Sequence, residues 1–578
     1  MNFKKYFVAA LPALLLASCA SDEPATGGED VNNGKAMYAR IQIQVPTATR
    51  SNTLDKPNGD TNSNAGFEVG QPYENDINNV TIVLATLENG VYTPKASGVY
   101  HSNTAMPDPV KENTYTILFK DEDIVELAGE DVYVFAYCNT DIPTASFTGS
   151  LNEMISSITS GAENQGIWKK GNFMMANAPG KKILKREMPA KEALINNYNS
   201  AEKALDLGTV EVARTAARFD YKVTDNNLYD IVDINSDDNA VVAQVEMVGM
   251  TPFNIAKDFY TLPRVSADGT ATGWTICGEE VGSLLGNVTP NYVVSPFYTE
   301  KAASSVADLA SNYFFPLPTV GNNGTYAAFD YTVINDWYKA ATDDNDENWT
   351  GIDGYKIWHY ATENTIPAVD NQRKGITTGV IFKGKLTNAQ GLMKDAMDAG
   401  HAVYFYNGIC YGDIANLRRV VANLNHDETD WTSPNKMYND FKRVFGEEYL
   451  SYDKAADGTR VYRTLDADLK DCTSAANNGT FKILRPDEAG DYYTYYVYYN
   501  RHNDNGKSTV MGPMEFATVR NNVYKLSVTK VTDFGHTSDP KDDPEPENPN
   551  HPDETPKTYF RVSCHVIPWI VRINNIEF

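Results

Sequence analysis

Between Met37 and Val45 apolar and polar residues alternate without a break: Met37, Ala39, Ile41, Ile43 and Val45 fall on one side, Arg40, Gln42 and Gln44 on the other. Successive side chains of an extended chain point to opposite faces, so this period of two specifies a half-buried strand over Ala36–Val45 and excludes an amphipathic helix, whose apolar positions recur every three to four residues. The strand stands between two polar stretches. Residues 20–35 are rich in Gly, Asp, Asn and Ser, and residues 46–66 contain Arg50 and the run Pro57-Asn58-Gly59-Asp60. Neither stretch can supply a core, so one well-patterned strand sits between two flexible segments.

The same extended patterning recurs along the chain. Val80 to Leu84 leads into Glu88-Asn89-Gly90, a hairpin signal. Further strands are expected at 114–119, 132–137, 209–219, 377–386, 402–407, 491–500 and 522–531. Residues 190–205 have a helical composition, and 412–450 reads as a helical insert (Ala415 to Val421, then Tyr438 to Val444). With 42% apolar residues and 35 tyrosines, the chain is long enough for more than one core and favours strands. The predicted fold is mainly β: two tandem antiparallel β-sandwich domains, 51–208 and 209–536, with the helical insert 412–450 in the second.

The start reads as an address. Lys4 and Lys5 precede an apolar run, Tyr6 to Ala17, too short to span a bilayer. The run ends in Leu16-Ala17-Ser18-Cys19, a lipobox in which small residues admit the peptidase and the Cys19 thiol takes the lipid. A plain signal peptide with an incidental cysteine is the alternative. Residues 1–19 are thus set apart as a signal, and an outer-membrane lipoprotein precursor is expected.

The formal net charge of −26 argues against binding nucleic acid or an anionic membrane through a basic patch. The remaining cysteines, Cys138, Cys277, Cys410, Cys472 and Cys564, are widely spaced, with no C-x-x-C pair, and read mostly as buried thiols. Asp344, Asp346 and Asn348 have the alternation of a calcium loop, but Trp349 stands where the loop needs glycine and no glutamate closes it. A solvated acidic loop is the plainer reading, and no metal or cofactor is expected. No hydrolase, zinc-protease or phosphate-loop motif occurs, so the chain is read as a non-enzyme.

At the other end, residues 537–557 hold six prolines and seven acidic residues, a composition that favours polyproline II over a core. Beyond this linker the strand pattern returns in 558–578. Phe560, Val562, Cys564 and Val566 alternate with polar residues, Pro568 interrupts, and Trp569, Val571 and Ile573 make a second apolar row. Proline cannot donate to a ladder, so a kink there should shift the phase. The tail either completes its own sandwich or leaves on its leash to pair elsewhere.

Several segments together resemble the fimbrillin superfamily of Bacteroidales type V pili, and within it the shaft subunits of minor fimbriae. They are Val210-Glu211-Val212-Ala213-Arg214-Thr215-Ala216-Ala217-Arg218, Arg520-Asn521-Asn522-Val523-Tyr524-Lys525-Leu526 and Val566-Ile567-Pro568-Trp569-Ile570-Val571, with the acidic proline-rich linker before the last. The acidic patch Ala20-Ser21-Asp22-Glu23 after the lipid cysteine also resembles a surface-export signal of Bacteroidetes lipoproteins. The resemblance implies transthyretin-like sandwiches and a lipoprotein precursor. An Arg-specific, trypsin-like protease would cut at Arg50-Ser51, removing the propeptide 20–50 with its strand. The terminal strand of another copy would then fill the vacated groove. Implied partners are other copies, anchor and tip subunits, and host or bacterial surface receptors, in a cell-surface fimbrium that supports adhesion and colonisation. A glycan-binding surface lipoprotein of a polysaccharide-uptake system is the alternative; it would need neither a cleavable first strand nor a leashed last one.

Overall fold

The computed structural model describes residues 36–45, 70–101, 113–140, 149–161, 165–179, 182–224, 227–232, 240–266, 274–278, 292–296, 311–315, 355–365, 378–424, 435–464, 477, 480–499, 517–537, 560–568 and 572–574. Cys19, Arg50, Ser51, Asp344, Asp346, Asn348, Trp569 and Val571 lie outside them, as does nearly all of the linker 537–557.

The chain is mainly β, and its first sheet closes on itself. Strands β1 (Ala36–Gln44), β2 (Asn79–Glu88), β3 (Val91–His101), β4 (Thr114–Lys120), β5 (Asp131–Cys138), β6 (Met175–Asn177), β7 (Leu184–Glu187) and β8 (Leu205–Arg214) are ordered β7-β5-β2-β3-β4-β1-β8-β6. The end strand β6 also pairs with β5, through Tyr137 with Ala176 and Cys138 with Met175, which completes the circuit. The β2–β3 hairpin turns at Asn89-Gly90, both at positive φ (51° and 81°), the handedness that lets a two-residue turn follow the twist of its strands.

Val83, Ala85, Phe135 and Tyr137 on one face of this sheet pack with Leu262, Ile276 and Cys277, while Ile82, Leu84, Val134 and Ala136 on the other join the main core. Burial on both faces is why β2 and β5 read as continuous apolar runs rather than as alternations.

After β8 the chain passes Thr215 and enters a second sheet as β9 (Ala216–Tyr221). Strand β9 lies between β10 (Lys356–Thr362), antiparallel, and β11 (Asn522–Val531), parallel. The change of sheet therefore falls at Thr215, whereas the composition put the division before Thr209. The extended pattern runs through both strands, and no turn residue marks the step. Facing this sheet is an antiparallel one formed by 228–232, 241–253, 379–387 and 493–499; the ring of Tyr221 lies 5.8 Å from that of Phe382 across the interface.

The insert is built from helices Ile414–Ala422 and Asn435–Phe445. Asp413 caps the first by accepting from the Asn416 N–H at 2.9 Å. It has a core of its own, with Leu417, Val421, Phe441, Phe445, Tyr404 and Phe481. A preceding helix, Gly391–Asp398, was not anticipated from the sequence.

Both halves share one continuous core and are cross-braced. Strand 258–260 of the second half pairs with 155–157 of the first. Arg264, stacked between Tyr260 (3.7 Å) and Trp274 (4.0 Å), donates to the Asn152 carbonyl at 2.9 Å. His359 on β10 is buried beside Trp358 and Trp168, with Nε2 3.0 Å from the Gly161 carbonyl, to which it donates.

Burial pushes the His359 imidazole down to about 4 from an ordinary 6.5, partly offset by that hydrogen bond. Between those values the unfolded chain binds the proton that the folded chain refuses. Stability contributed by the neutral ring is therefore whole above pH 6.5 and lost progressively down to about pH 4, a total of about 3 kcal/mol. The expected result is a urea midpoint that falls more steeply with acid in the parent than in His359→Gln between pH 7 and 4.5. Equal slopes would refute the assignment.

Candidate functional site: the slot of the first strand

Strand β1 is central, not peripheral. It runs antiparallel to β4, from Ala36 opposite Lys120 to Gln42 opposite Thr114, and parallel to β8, from Ala39 opposite Leu205 to Gln44 opposite Glu211. Its register on β8 shifts between Arg40 and Ile41, where Leu207 is extra. Gly208 takes the bulge at φ 99° with its N–H held by Asp206 Oδ1 at 2.9 Å.

Met37, Ala39, Ile41 and Ile43 are at most 2% exposed, Val45 is half-buried, and Gln42 and Gln44 face solvent. Ile117 and Phe119 of β4 and Leu205, Leu207, Val210 and Val212 of β8 are buried in the same core. The strand is also held outside the ladders: Tyr38 N–H donates to the Tyr198 carbonyl at 3.0 Å, Ile43 N–H to Asn113 at 2.9 Å, and Arg40 Nη2 to Ala201 at 3.2 Å.

Burying Met37, Ile41 and Ile43 together is worth about 5–9 kcal/mol, and the strand is laddered over Ala36–Gln42 on one side and Ala39–Gln44 on the other. Take this segment away and two strand edges remain above an open apolar trough. Such edges are templates for another strand.

The far end of β8 is locked by a buried ionic cluster. Arg218 donates to Glu74 Oε2 (2.9 Å) and, in a bidentate pair, to both Asp220 oxygens (2.8 Å each). Tyr360 donates its hydroxyl to Glu74 Oε1 at 2.7 Å. Arg214 Nε donates to the Glu74 carbonyl at 2.8 Å and Nη1 to Asn521 Oδ1 at 3.2 Å, and Nη2 reaches Asn75 Oδ1. Glu74, Arg218 and Asp220 are 0% exposed. Burial drives the Arg214 guanidinium down to about 10, with the nearby Glu74 opposing the shift, so it stays charged at neutral pH.

A second buried pair joins Arg520 Nε to Glu363 Oε2 at 2.8 Å. Arg520 Nη2 also donates to the Tyr260 carbonyl at 2.6 Å. Burial pushes the Glu363 carboxyl upward while Arg520 opposes it. The conspicuous Arg214, Arg218, Arg520 and Asn521 are therefore lattice points of the junction between the halves. Glu74, which holds them together, carried no sequence signal beyond an acid three residues after Gln71 near Pro72.

The tail lies on its own chain. Strand β12 (Phe560–Pro568) pairs antiparallel with β11, from Val531 opposite Phe560 to Asn522 opposite Pro568, with a bulge between Val528 and Lys530. Strand β13 (Arg572–Asn574), which contains Ile573, folds back on Cys564–Val566 at the outer edge. Phe560, Val562, Cys564 and Val566 are thus strand positions of the second sheet, and Pro568 ends its strand. The slot and the tail are in different sheets of one chain.

Cys138 and Cys277 are free and buried, which pushes both thiols up to about 12; Cys410 is free and half-buried. Among the described residues no three metal-binding side chains gather, and no helix is long and apolar enough to cross a membrane.

A multi-sheet β protein with a buried ionic junction and an enclosed first strand is the class these features define. Residues 491–575 match the family described as major fimbrial subunit protein type IV, fimbrillin, C-terminal, a segment that takes in strand 493–499, β11, β12 and β13. Over that C-terminal segment the chain is similar to the fimbrillins.

Among solved structures it is similar to a fimbrilin from Porphyromonas gingivalis (13% identity, 93% of this chain and 98% of the other, TM-score 0.33). It is likewise similar to the tip fimbrial protein of the same organism (7%, 92% and 100%, 0.30) and to a fimbrial assembly protein from Parabacteroides distasonis (10%, 61% and 95%, 0.21). These scores are too low to carry a role across. No curated protein matches the chain.

Proposed function

We propose that this chain is a structural shaft subunit of a cell-surface fimbria, delivered as a precursor acylated at Cys19 and activated by cutting at Arg50-Ser51. The observation that carries the reading is the position of β1: a fully enclosed strand joined to the rest of the chain only by the polar segment that contains Arg50. Cleavage there frees residues 20–50 as a separate peptide held by non-covalent contacts alone. Its loss opens a slot that keeps its two neighbours in register, and a strand from a second copy enters along the same path.

The donor in this reading is the tail. Val531 and Phe560 are paired neighbours, a junction that two to five residues can make in a hairpin, yet the acidic proline-rich linker lies between them. That excess length lets the tail leave its parked position. Anchor and tip subunits and the adhesion target are the further partners of such a polymer. The two-domain division, a first body closed by β1 and a second by β12, belongs to the same proposal.

The test is maturation. Parent precursor treated with an Arg-specific, trypsin-like protease should assemble into fibres whose N-terminus is Ser51, and Arg50→Ala should give none. Arg40 is a poor rival because its backbone is paired on both sides. Fibres that begin at Ala20 or Met37, or an Arg50→Ala chain that assembles normally, would overturn the proposal.

A further inference from the structure

The insert carries a surface that contradicts the charge of its own chain. Its hairpin pairs Tyr452–Lys454 with Arg460–Tyr462, Tyr452 opposite Tyr462 and Lys454 opposite Arg460. Alternate residues share a face, so two tyrosines and two cations stand side by side. The rings are 5.5 Å apart. The Arg460 guanidinium lies 4.7 Å from the Tyr452 ring, and Arg418, from helix Ile414–Ala422, lies 5.2 Å from that of Tyr462.

Arg418 and Arg460 donate to main-chain carbonyls, those of Arg463 at 2.6 Å and Ala422 at 3.2 Å. Among the described residues no carboxylate forms an ion pair with Arg418, Lys454 or Arg460. The nearby Asp457 is engaged in its own turn, accepting from the Thr459 N–H at 2.9 Å. Tyr452, Lys454 and Arg460 are exposed. In a chain of net charge −26, three cations framed by tyrosines and left without an acid form a site for an anionic, extended ligand.

We infer that this face holds the acidic, proline-rich segment 538–557 of the same chain. Two chemical matches select that occupant. Polyproline II segments dock on aromatic-lined faces, and acidic motifs bind arginine clusters; this segment is both, with six prolines and seven acids against two lysines. The described chain also ends in the right place. Phe534 packs on Phe405 at 4.8 Å and His536 is bridged to Tyr495, while Lys482 donates to the Phe534 carbonyl. Phe405 and Lys482 belong to strands 403–406 and 481–484, the sheet that floors the insert. The segment thus departs from the base of the insert, and at ~3.1 Å per residue it has roughly 60 Å of contour with which to cross the hairpin and return to Phe560. This inference stands whether or not the tail is exchanged between copies.

The experiment uses the full chain and a fluorescein-labelled peptide of residues 538–557, read by anisotropy. A variant whose seven linker acids are replaced by Asn or Gln should bind the peptide about tenfold more tightly than the parent, whose own segment occupies the face. Adding R418E, K454E and R460E to that variant should abolish binding while circular dichroism and thermal midpoint stay unchanged. Raising salt from about 50 to 500 mM should weaken binding severalfold. No binding to the neutral-linker variant, or binding indifferent to the three reversals, would overturn the inference. Equal binding of a proline-free polyglutamate would also overturn it, by making the face a general polyanion site. Tighter binding by the parent than by the neutral-linker variant would refute occupancy by the same chain.

Discussion

Replacing Arg218 with methionine is expected to destabilise the protein by about 3–5 kcal/mol. Arg218 lies between two carboxylates, Glu74 and Asp220, and all three are out of contact with solvent. With Arg214 the four charges balance. Without Arg218 the two acids share one cation, and a buried negative charge is left over.

Removing one member of such a pair costs more than removing the set, because desolvation is already complete when the partner disappears. The double change R218M/D220N, which leaves Arg214 and Glu74 in balance, should therefore recover much of the loss. Denaturant midpoints on the precursor, read at the transition that reports the junction, check both points. A cost below about 1 kcal/mol for R218M, or a double variant as unstable as the single one, would mean that the cluster is not the brace described here.

That cluster also marks where sequence reading stops. Strand β1 was legible because its information is local: five apolar residues on one side specify a half-buried strand wherever the partners come from. The Asn89-Gly90 turn was legible for the same reason. The partners were not. Nothing in Ala36–Val45 says that Leu205–Glu211 lies parallel beside it, since pairing depends on which edges meet in space. Strand β6 escaped notice because three residues, Met175–Asn177, are too few for a period. Glu74 looked like any surface acid in an acidic chain, and only the fold reveals that Arg218 and Tyr360 converge on it. For the insert, the two helices were visible from composition, while the cationic hairpin face required the register of Tyr452–Lys454 on Arg460–Tyr462.

Deleting Trp569 to Phe578 is expected to leave a folded, cleavable precursor that makes no fibres. The argument turns on where the removed residues sit. Strand β12 extends β11 over most of its length and stays in the truncated chain. The deletion takes β13, a three-residue strand at the outer edge that touches the rest of its sheet through Cys564–Val566. Losing so short an edge strand costs the monomer little. If the slot of β1 is filled by a neighbour's tail, however, the same ten residues are half of the donor's apolar pattern, and the trough left by Met37, Ile41 and Ile43 stays empty. The contrast is therefore between an unchanged thermal midpoint and a complete loss of assembly. The cleaved, truncated subunit should remain monomeric in sedimentation and should bind a synthetic peptide of residues 559–578 in the vacated slot without assembling. Fibres of normal length from the truncated chain would remove the tail from the donor role. A truncated chain that fails to fold would show that the tail belongs first to its own sheet, and polymerisation through the slot would then need another strand.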